Sequence, residues 1–126
     1  MGELTALLDT SALIGVSDVV ASAREGTWGV SVITIGELYA GVLLAKRDAA
    51  QRRRLARLAD VLAVAPVIAA DRAVAVAFGD LRMTSGRGPS NDLWIAATAL
   101  ANDLELITLD ERQAALSLVR TRRIEA

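Results

Sequence analysis

The chain has 126 residues, which is enough for one hydrophobic core and one domain. It contains no histidine and no cysteine, so imidazole bases, thiolate nucleophiles, zinc–thiolate sites and disulfides are excluded. The 14 basic and 15 acidic residues leave a formal net charge of −1. Hydrolytic chemistry would therefore have to use carboxylates, hydroxyls, lysine or arginine, and we expect one domain over residues 1–126.

The distribution of apolar residues predicts a cytoplasmic protein. The longest uncharged apolar run, Val61–Ala70, is interrupted by Pro66 and falls short of the roughly 20 residues that a membrane-spanning helix needs. No lysine or arginine precedes the first apolar run, as a secretory signal would require. We expect no membrane association.

The first half of the chain alternates between strand and helix patterns. The apolar run Thr5–Leu8 predicts a buried strand that ends at Asp9. The next predicted elements are a helix capped by Ser17 and Asp18 that runs to Glu25, and a strand over Trp28–Ile33. A helix that is opened by Thr34–Glu37 follows, and its inward residues are Leu38, Val42, Leu43 and Ala45. One or two further helices are predicted over Lys46–Ala59, where Leu55, Leu58 and Leu62 have helical spacing.

The second half continues the same rhythm. Its first predicted elements are a short strand or extended link over Val61–Val67, a helix over Arg72–Met83 capped by Asp71, and a loop over Ser85–Pro89. A buried helix over Ser90–Ala101 and a strand over Leu104–Leu109 follow, and the chain ends with a short helix and a strand near Val119–Ile124. Alternating strands and helices predict an α/β fold: a mostly parallel sheet of about five short strands, covered by helices on both faces.

Four acids stand out by their positions, although each has an ordinary structural explanation. Asp9 could cap the turn after the first strand, and Glu37 fits a capping box that begins at Thr34. Asp92 lies in the first turn of the buried helix, where the helix dipole favours negative charge, and Asp110 could cap the last helix. Taken singly, capping is the better explanation for every one of them.

Taken together, the four acids predict a metal site. Strand carboxyl ends and the amino ends of the following helices share one edge of a parallel sheet, so the four carboxylates should converge on one crevice. Like charges that close are unfavourable unless a cation neutralises them. Carboxylates alone suit a hard cation such as Mg²⁺, or Mn²⁺, which keeps several waters and leaves room for phosphate oxygens.

Four segments of the chain resemble, in order and spacing, the motifs of PIN-domain ribonucleases. They are Leu7–Ile14, Ser31–Gly41, Asn91–Ala99 and Leu106–Asp110. The resemblance is closest to the VapC-type toxins of bacterial toxin–antitoxin pairs. One departure is that the family usually has an aromatic residue shortly after the last acid, where this chain has Glu111–Ala114.

The resemblance implies a fold, a chemistry and partners. Asp9, Glu37, Asp92 and Asp110 would hold the metal, supported by Thr10, Ser11 and Thr108. A metal-activated water would attack an RNA phosphodiester and leave a 5′-phosphate and a 3′-hydroxyl. The implied partners are a small cognate antitoxin, which would lay a segment over the crevice, and a second copy in a symmetric homodimer.

Other functions stay open from the residues alone. A phosphodiesterase acting on DNA or another phosphoester would use the same acids, and a catalytically silent PIN-like module would keep only the fold. A phosphatase with an aspartyl nucleophile is disfavoured, because the residue two positions after Asp9 is Ser11 and not a second acid. Clusters of arginines, over Lys46–Arg57 and Arg120–Arg123, are either solvated surface or contacts for RNA phosphates. Low aromatic content, 3%, argues against recognition by base stacking.

Overall fold

The computed structural model describes residues 3–15, 27–85 and 88–125. In these ranges strands and helices alternate along most of the chain. The strands are β1 (Ala6–Leu8), β2 (Trp28–Ser31), β3 (Val67–Ile68), β4 (Glu105–Thr108) and β5 (Thr121–Arg123). The helices are α1 (Thr10–Gly15), α2 (Val32–Leu44), α3 (Asp48–Val64), α4 (Arg72–Ser85), α5 (Ser90–Ala101) and α6 (Glu111–Ala114).

The strands form one parallel sheet in the order β3-β2-β1-β4-β5. The chain builds outward from β1 through β2 to β3 and then crosses back to place β4 on the other side of β1. In the register, Leu7 pairs with Gly29 on one side and with Leu106 on the other. A crevice opens beyond the carboxyl ends of the strands where the order reverses, which here is between β1 and β4.

Helices cover both faces of the sheet. Because strand residues alternate between faces, Ala6 and Leu8 pack into one cluster with residues of α1, α2 and α3. Leu7 points the other way, into a second cluster formed mainly by α4 and α5. The prediction of an α/β fold with a covered parallel sheet is confirmed.

The second strand is shorter than predicted. It ends at Ser31 instead of Ile33, and α2 begins at Val32. The hydroxyl of Ser31 accepts a hydrogen bond from the backbone N–H of Ile33 at 3.1 Å, so Ser31 is the N-cap. The prediction that Thr34 opens this helix was wrong, because the cap outweighs the strand preference of the β-branched residues after it.

The third strand was also placed too early. Val61–Val64 form the last turn of α3, where Val61 is fully buried, and β3 contains only Val67 and Ile68. Pro66 disfavours a helical conformation in the residue before it, so Ala65 is extended and the helix stops there. The apolar run that looked like a strand is therefore mostly helix.

The helical spacing of apolar residues correctly predicts α2 and α3, but some of these residues face the solvent. Leu38, Val42 and Leu58 are buried as expected. Leu43, Leu55 and Leu62 are instead 61%, 51% and 50% exposed. An apolar repeat does not by itself define which side of a helix meets the sheet.

The remaining elements agree with prediction to within a few residues. Asp71 caps α4 by accepting a hydrogen bond from the N–H of Val74 at 3.0 Å, and α5 spans Ser90–Ala101 as expected. Helix α1 was not predicted, and the helix predicted from Ser17 to Glu25 lies outside the described residues. In the described part of the chain, every helix is too short or too polar to cross a membrane.

Candidate active site

Asp9 lies directly after β1 and is held in one orientation. Its Oδ1 accepts hydrogen bonds from the Ser11 hydroxyl at 2.7 Å and from the backbone N–H of Ala12 at 3.0 Å, and its Oδ2 accepts one from the Thr108 hydroxyl. The side chain is only 5% exposed. Asp9 therefore does cap α1, and it still has a free lone pair, because an ionised carboxylate can accept about four hydrogen bonds.

Hydrogen bonds from the end of β4 to the end of β1 link two of the acids. The Thr108 hydroxyl, besides donating to Asp9, accepts the backbone N–H of Asp110 at 2.9 Å. The Ser11 hydroxyl accepts the backbone N–H of Leu109 at 3.0 Å. Asp9 and Asp110 are thereby kept next to each other on adjacent strands, as parallel pairing of β1 and β4 predicts.

Asp110 is the N-cap of α6, as its position suggested. Its Oδ1 accepts the backbone N–H of Arg112 at 2.8 Å. The Arg112 guanidinium lies 3.9 Å from the same oxygen, which is a loose ion pair on an exposed side chain. The capping interpretation of Asp110 is confirmed, and its side chain remains 32% exposed.

Glu37 is fixed by polar side chains from two other elements. The Thr10 hydroxyl donates to its Oε1 at 2.5 Å, and the Asn91 amide donates to its Oε2 at 3.5 Å. Thr34 lies beside this pair, its hydroxyl 3.2 Å from that of Thr10. The capping-box interpretation of Glu37 is wrong, because α2 begins two residues before Thr34 and Glu37 lies in its second turn.

Asp92 shows that the four acids share one crevice. Burial raises the pKa of its carboxyl, and the negative charges of Asp110, Glu37 and Asp9 raise this pKa further, in that order. The positive charge of Arg112 opposes the rise. Carboxylates from β1, α2, α5 and the end of β4 thus meet at the carboxyl edge of the sheet.

The four acids approach one another but do not form a complete metal-coordination site. Within residues 3–15, 27–85 and 88–125, no group of three or more acidic side chains has the geometry to hold an ion. The Asp110 carboxylate accepts a hydrogen bond from the backbone at the start of α6, and the Glu37 carboxylate accepts one from the Thr10 hydroxyl. The donor set nevertheless suits Mg²⁺ or Mn²⁺, because the four acids offer carboxylate oxygens, which hard cations prefer.

Sequence reasoning missed three polar residues around the acids. Thr34 and Asn91 contact the Thr10–Glu37 pair, and Gln113, only 5% exposed, donates its amide to the backbone oxygen of Asp92 at 2.7 Å. Asn91 could have been found as the neighbour of Asp92 at the helix start. Nothing in the sequence marked Gln113, since its partner is a backbone oxygen 21 positions away.

Comparisons with known proteins show which family the chain belongs to. The family model of the PIN domain matches residues 6–118. This chain belongs to the PIN-domain family. One relative of this PIN domain, Ribonuclease VapC4 of Mycobacterium tuberculosis, is 40% identical over 118 residues, which cover 88% of this chain and 90% of the relative.

Solved structures share the fold over nearly the full chain. A crystal structure of VapBC-5, a toxin–antitoxin system of Mycobacterium tuberculosis, matches with a TM-score of 0.80 and 32% identity, covering 95% of this PIN domain and 98% of that chain. DNA-bound VapBC from Salmonella typhimurium matches with a TM-score of 0.79. At 20% identity, over 95% of this chain and 98% of that one, the second match supports the fold alone.

Proposed function

We propose that this PIN domain is a metal-dependent endoribonuclease and the toxin of a toxin–antitoxin pair. The observation that carries the proposal is the placement of four carboxylates at one edge of the sheet, where hydrogen bonds hold Asp9, Glu37 and Asp110. There, burial and the charges of the three other acids raise the pKa of Asp92. Such a concentration of negative charge is unfavourable unless a cation is bound. The 40% identity to a relative named as a ribonuclease supports RNA as the substrate.

In this proposal the metal ligands would be Asp9, Glu37, Asp92 and Asp110, and the ion would be Mg²⁺ or Mn²⁺. When bound, the ion would supply a water activated for attack and would stabilise negative charge on the phosphoryl oxygens. Cleavage forms a bond from the water oxygen to phosphorus and breaks the bond from phosphorus to the 3′ oxygen, which gains a proton while the water loses one. The products are a 5′-phosphate and a 3′-hydroxyl.

The hydroxyl residues orient the acids. Ser11 and Thr108 hold the Asp9 carboxylate in one orientation, so that its remaining lone pair points in a constant direction. Thr10 does the same for Glu37. Asp92 makes no side-chain hydrogen bond to another described residue, and we expect its carboxylate to adjust to a ligand. A site that combines fixed and adjustable carboxylates can accept an ion together with its waters.

The proposal extends to partners and location. A small antitoxin would cover the crevice and place a basic side chain among the acids, and two copies of the chain would form a symmetric dimer in the cytoplasm.

Expression of the chain alone should arrest growth, and co-expression of the adjacent small open reading frame should relieve this arrest. Normal growth at a detectable protein level would argue against a toxin, and a monomer in light scattering at micromolar concentration would remove the dimer.

The deciding experiment is incubation of the purified chain with RNA and with DNA in Mg²⁺, in Mn²⁺ and in EDTA. RNA cleavage that EDTA abolishes, with 5′-phosphate ends, is the expected result. Cleavage of DNA at a comparable rate would favour a general phosphodiesterase. No cleavage of either by folded protein would favour a catalytically silent binding module.

A further inference from the structure

A cavity of about 250 Å³ opens beside Asp92, between the start of α5 and helix α6. Its apolar lining residues are Pro89, Leu93 and Leu116, and its polar lining residues are Asp92, Arg112 and Gln113. The cavity is smaller than the roughly 300 Å³ and above that hold whole drug-sized ligands. It suits a small fragment that has both apolar and polar atoms.

Several contacts hold the cavity wall that leads into α5. Arg82 donates hydrogen bonds to the Gly88 carbonyl at 3.2 Å and to the Ser90 hydroxyl at 3.0 Å. The guanidinium of Arg82 also lies 5.6 Å from the centre of the Phe78 ring, which stacks on Trp94. Gly88 has a φ of +135°, a conformation that only glycine adopts readily. The wall leading into α5 is therefore built from several mutually supporting contacts.

The opposite wall is joined directly to the acids. The buried Gln113 amide donates to the backbone oxygen of Asp92 at 2.7 Å, which ties α6 to the first turn of α5. At the other end of α6, the Thr121 hydroxyl donates to the backbone oxygen of Ala114 at 2.6 Å. The cavity therefore adjoins the acidic crevice, since Asp92 belongs to both.

Arg112 has the properties of an anion-binding residue at the mouth of this cavity. Its side chain is 84% exposed, its ion pair with Asp110 is 3.9 Å long, and its charge acts on Asp92. A guanidinium offers several N–H groups in a plane, which matches the oxygens of a phosphate. The Asp110 contact is long enough that a phosphate can replace it at little cost.

We propose that this cavity is a nucleotide subsite, in which Arg112 binds an RNA phosphate next to the cleaved one and the apolar residues Pro89, Leu93 and Leu116 receive the base of that nucleotide. The inference rests on the proposed ribonuclease function and adds where the substrate strand runs. A polyanion approaching four carboxylates needs a nearby cation, and Arg112 supplies one on the cavity side of Asp92. The cavity also offers selection by base shape in a chain with few aromatic residues.

The first test separates binding from chemistry by cleaving a short single-stranded RNA in saturating Mg²⁺ under single-turnover conditions. Arg112→Ala should raise the half-saturating RNA concentration about tenfold, because a hydrogen-bonded charged contact is lost, and this rise should exceed any change in the maximal rate. The dependence of that concentration on salt should become shallower by about 0.7 in the log–log slope, as expected for one lost phosphate contact. Arg112→Lys keeps the charge but lacks the planar N–H groups, so it should restore the salt dependence and only part of the RNA affinity.

The matched control is Arg120→Ala. Arg120 donates to the backbone and side-chain oxygens of Asp103, before the start of β4 and thus at the opposite edge of the sheet from the acids. The Arg120→Ala substitution removes the same charge as Arg112→Ala and should leave both the half-saturating RNA concentration and the salt slope unchanged. An equal effect of the two variants would overturn the assignment of Arg112, because it would reflect net charge alone.

The second test addresses the base. Leu116→Trp places a large side chain in the cavity, and Leu118→Trp places it two residues further on, at a position that is 43% exposed. Sequencing of the ends produced from a randomised RNA should show that Leu116→Trp changes the base preference beside the cut, whereas Leu118→Trp does not. Circular dichroism checks that both variants are folded.

The outcomes distinguish the two proposals. If the wild-type chain cleaves no RNA, the proposed function fails. If it cleaves RNA and both Arg112→Ala and Leu116→Trp match their controls, the ribonuclease stands and the subsite is wrong. A loss of maximal rate in Arg112→Ala without a change in half-saturating concentration would also overturn the subsite, because it would assign Arg112 to chemistry and not to binding.

Discussion

The two sides of the crevice hold their carboxylates in different ways. On the strand side, Asp9 is buried and both of its oxygens accept hydrogen bonds. On the helix side, Asp92 is half-buried and surrounded by the charges of the other acids, which burial makes more unfavourable. We therefore expect the first carboxylate to stabilise the folded state and the second to destabilise it at neutral pH. Removal of either should affect catalysis equally and stability in opposite directions.

The largest expected effect is on catalysis, where the two sides should behave alike. Asp9→Asn and Asp92→Asn should each lower RNA cleavage in Mg²⁺ by about 100-fold or more, because an amide is a poor ligand for a hard cation. Asp60→Asn, at an exposed position on α3, is the control for the same substitution elsewhere. Cleavage at the wild-type rate by either folded site variant would show that the metal assignment is wrong.

Metal binding should also stabilise the wild-type chain. A ligand that binds the folded state at 100 times its dissociation constant adds about 2.7 kcal/mol to the free energy of unfolding. We expect the melting temperature to rise on replacing EDTA with Mg²⁺, and the rise to be much smaller in Asp92→Asn. An unchanged response in this variant would favour a purely structural role for Asp92 at the start of α5.

Stability without metal should separate the two sides. In EDTA, Asp9→Asn should lower the free energy of unfolding by about 1–3 kcal/mol, because the amide leaves buried partners unsatisfied. Thr108→Val should have a similar effect, since it removes the donor to Asp9 and the acceptor for the Asp110 N–H. Urea unfolding of these variants beside Asp60→Asn measures the difference. Wild-type stability in both would mean that the network around Asp9 contributes little.

The smallest effect, and the one that depends on pH, concerns Asp92. Its pKa is raised in the folded state, so the folded chain holds this proton more tightly than the unfolded chain does. The resulting stabilisation is fully present below the unfolded pKa, about 3.9, and is lost as pH rises through the folded value. Near pH 7 in EDTA, Asp92→Asn should therefore melt above the wild type, and the gap should narrow toward pH 4.

The helix dipole predicts the reverse sign for the same substitution. If the main role of Asp92 were to complement the amino end of α5, its replacement would cost about 0.3–1 kcal/mol at neutral pH. Thermal melts across pH 4 to 7 distinguish the two explanations by sign. A lower melting temperature of Asp92→Asn at neutral pH would contradict the charge-crowding interpretation of the crevice.

Patterns of short range were sufficient for much of the fold. Alternating strands and helices predicted the parallel sheet, and caps such as Asp71 and Asp110 marked helix starts correctly, because each depends on residues only two or three positions apart. The convergence of Asp9, Glu37, Asp92 and Asp110 followed from the rule that strand ends and helix starts share one edge. That these acids hold a metal, and that one domain spans all 126 residues, remain predictions.

Long-range packing decided what those patterns left open. The outward direction of Leu55 and Leu62 depends on where α3 meets the sheet, and the early end of β2 depends on competition between strand pairing and the Ser31 cap. The difference between Asp9 and Asp92 arises from partners on other elements, since Thr108 lies 99 positions from Asp9. A sequence can place two carboxylates at one edge, but only the tertiary structure determines which is held by hydrogen bonds and which is left among like charges.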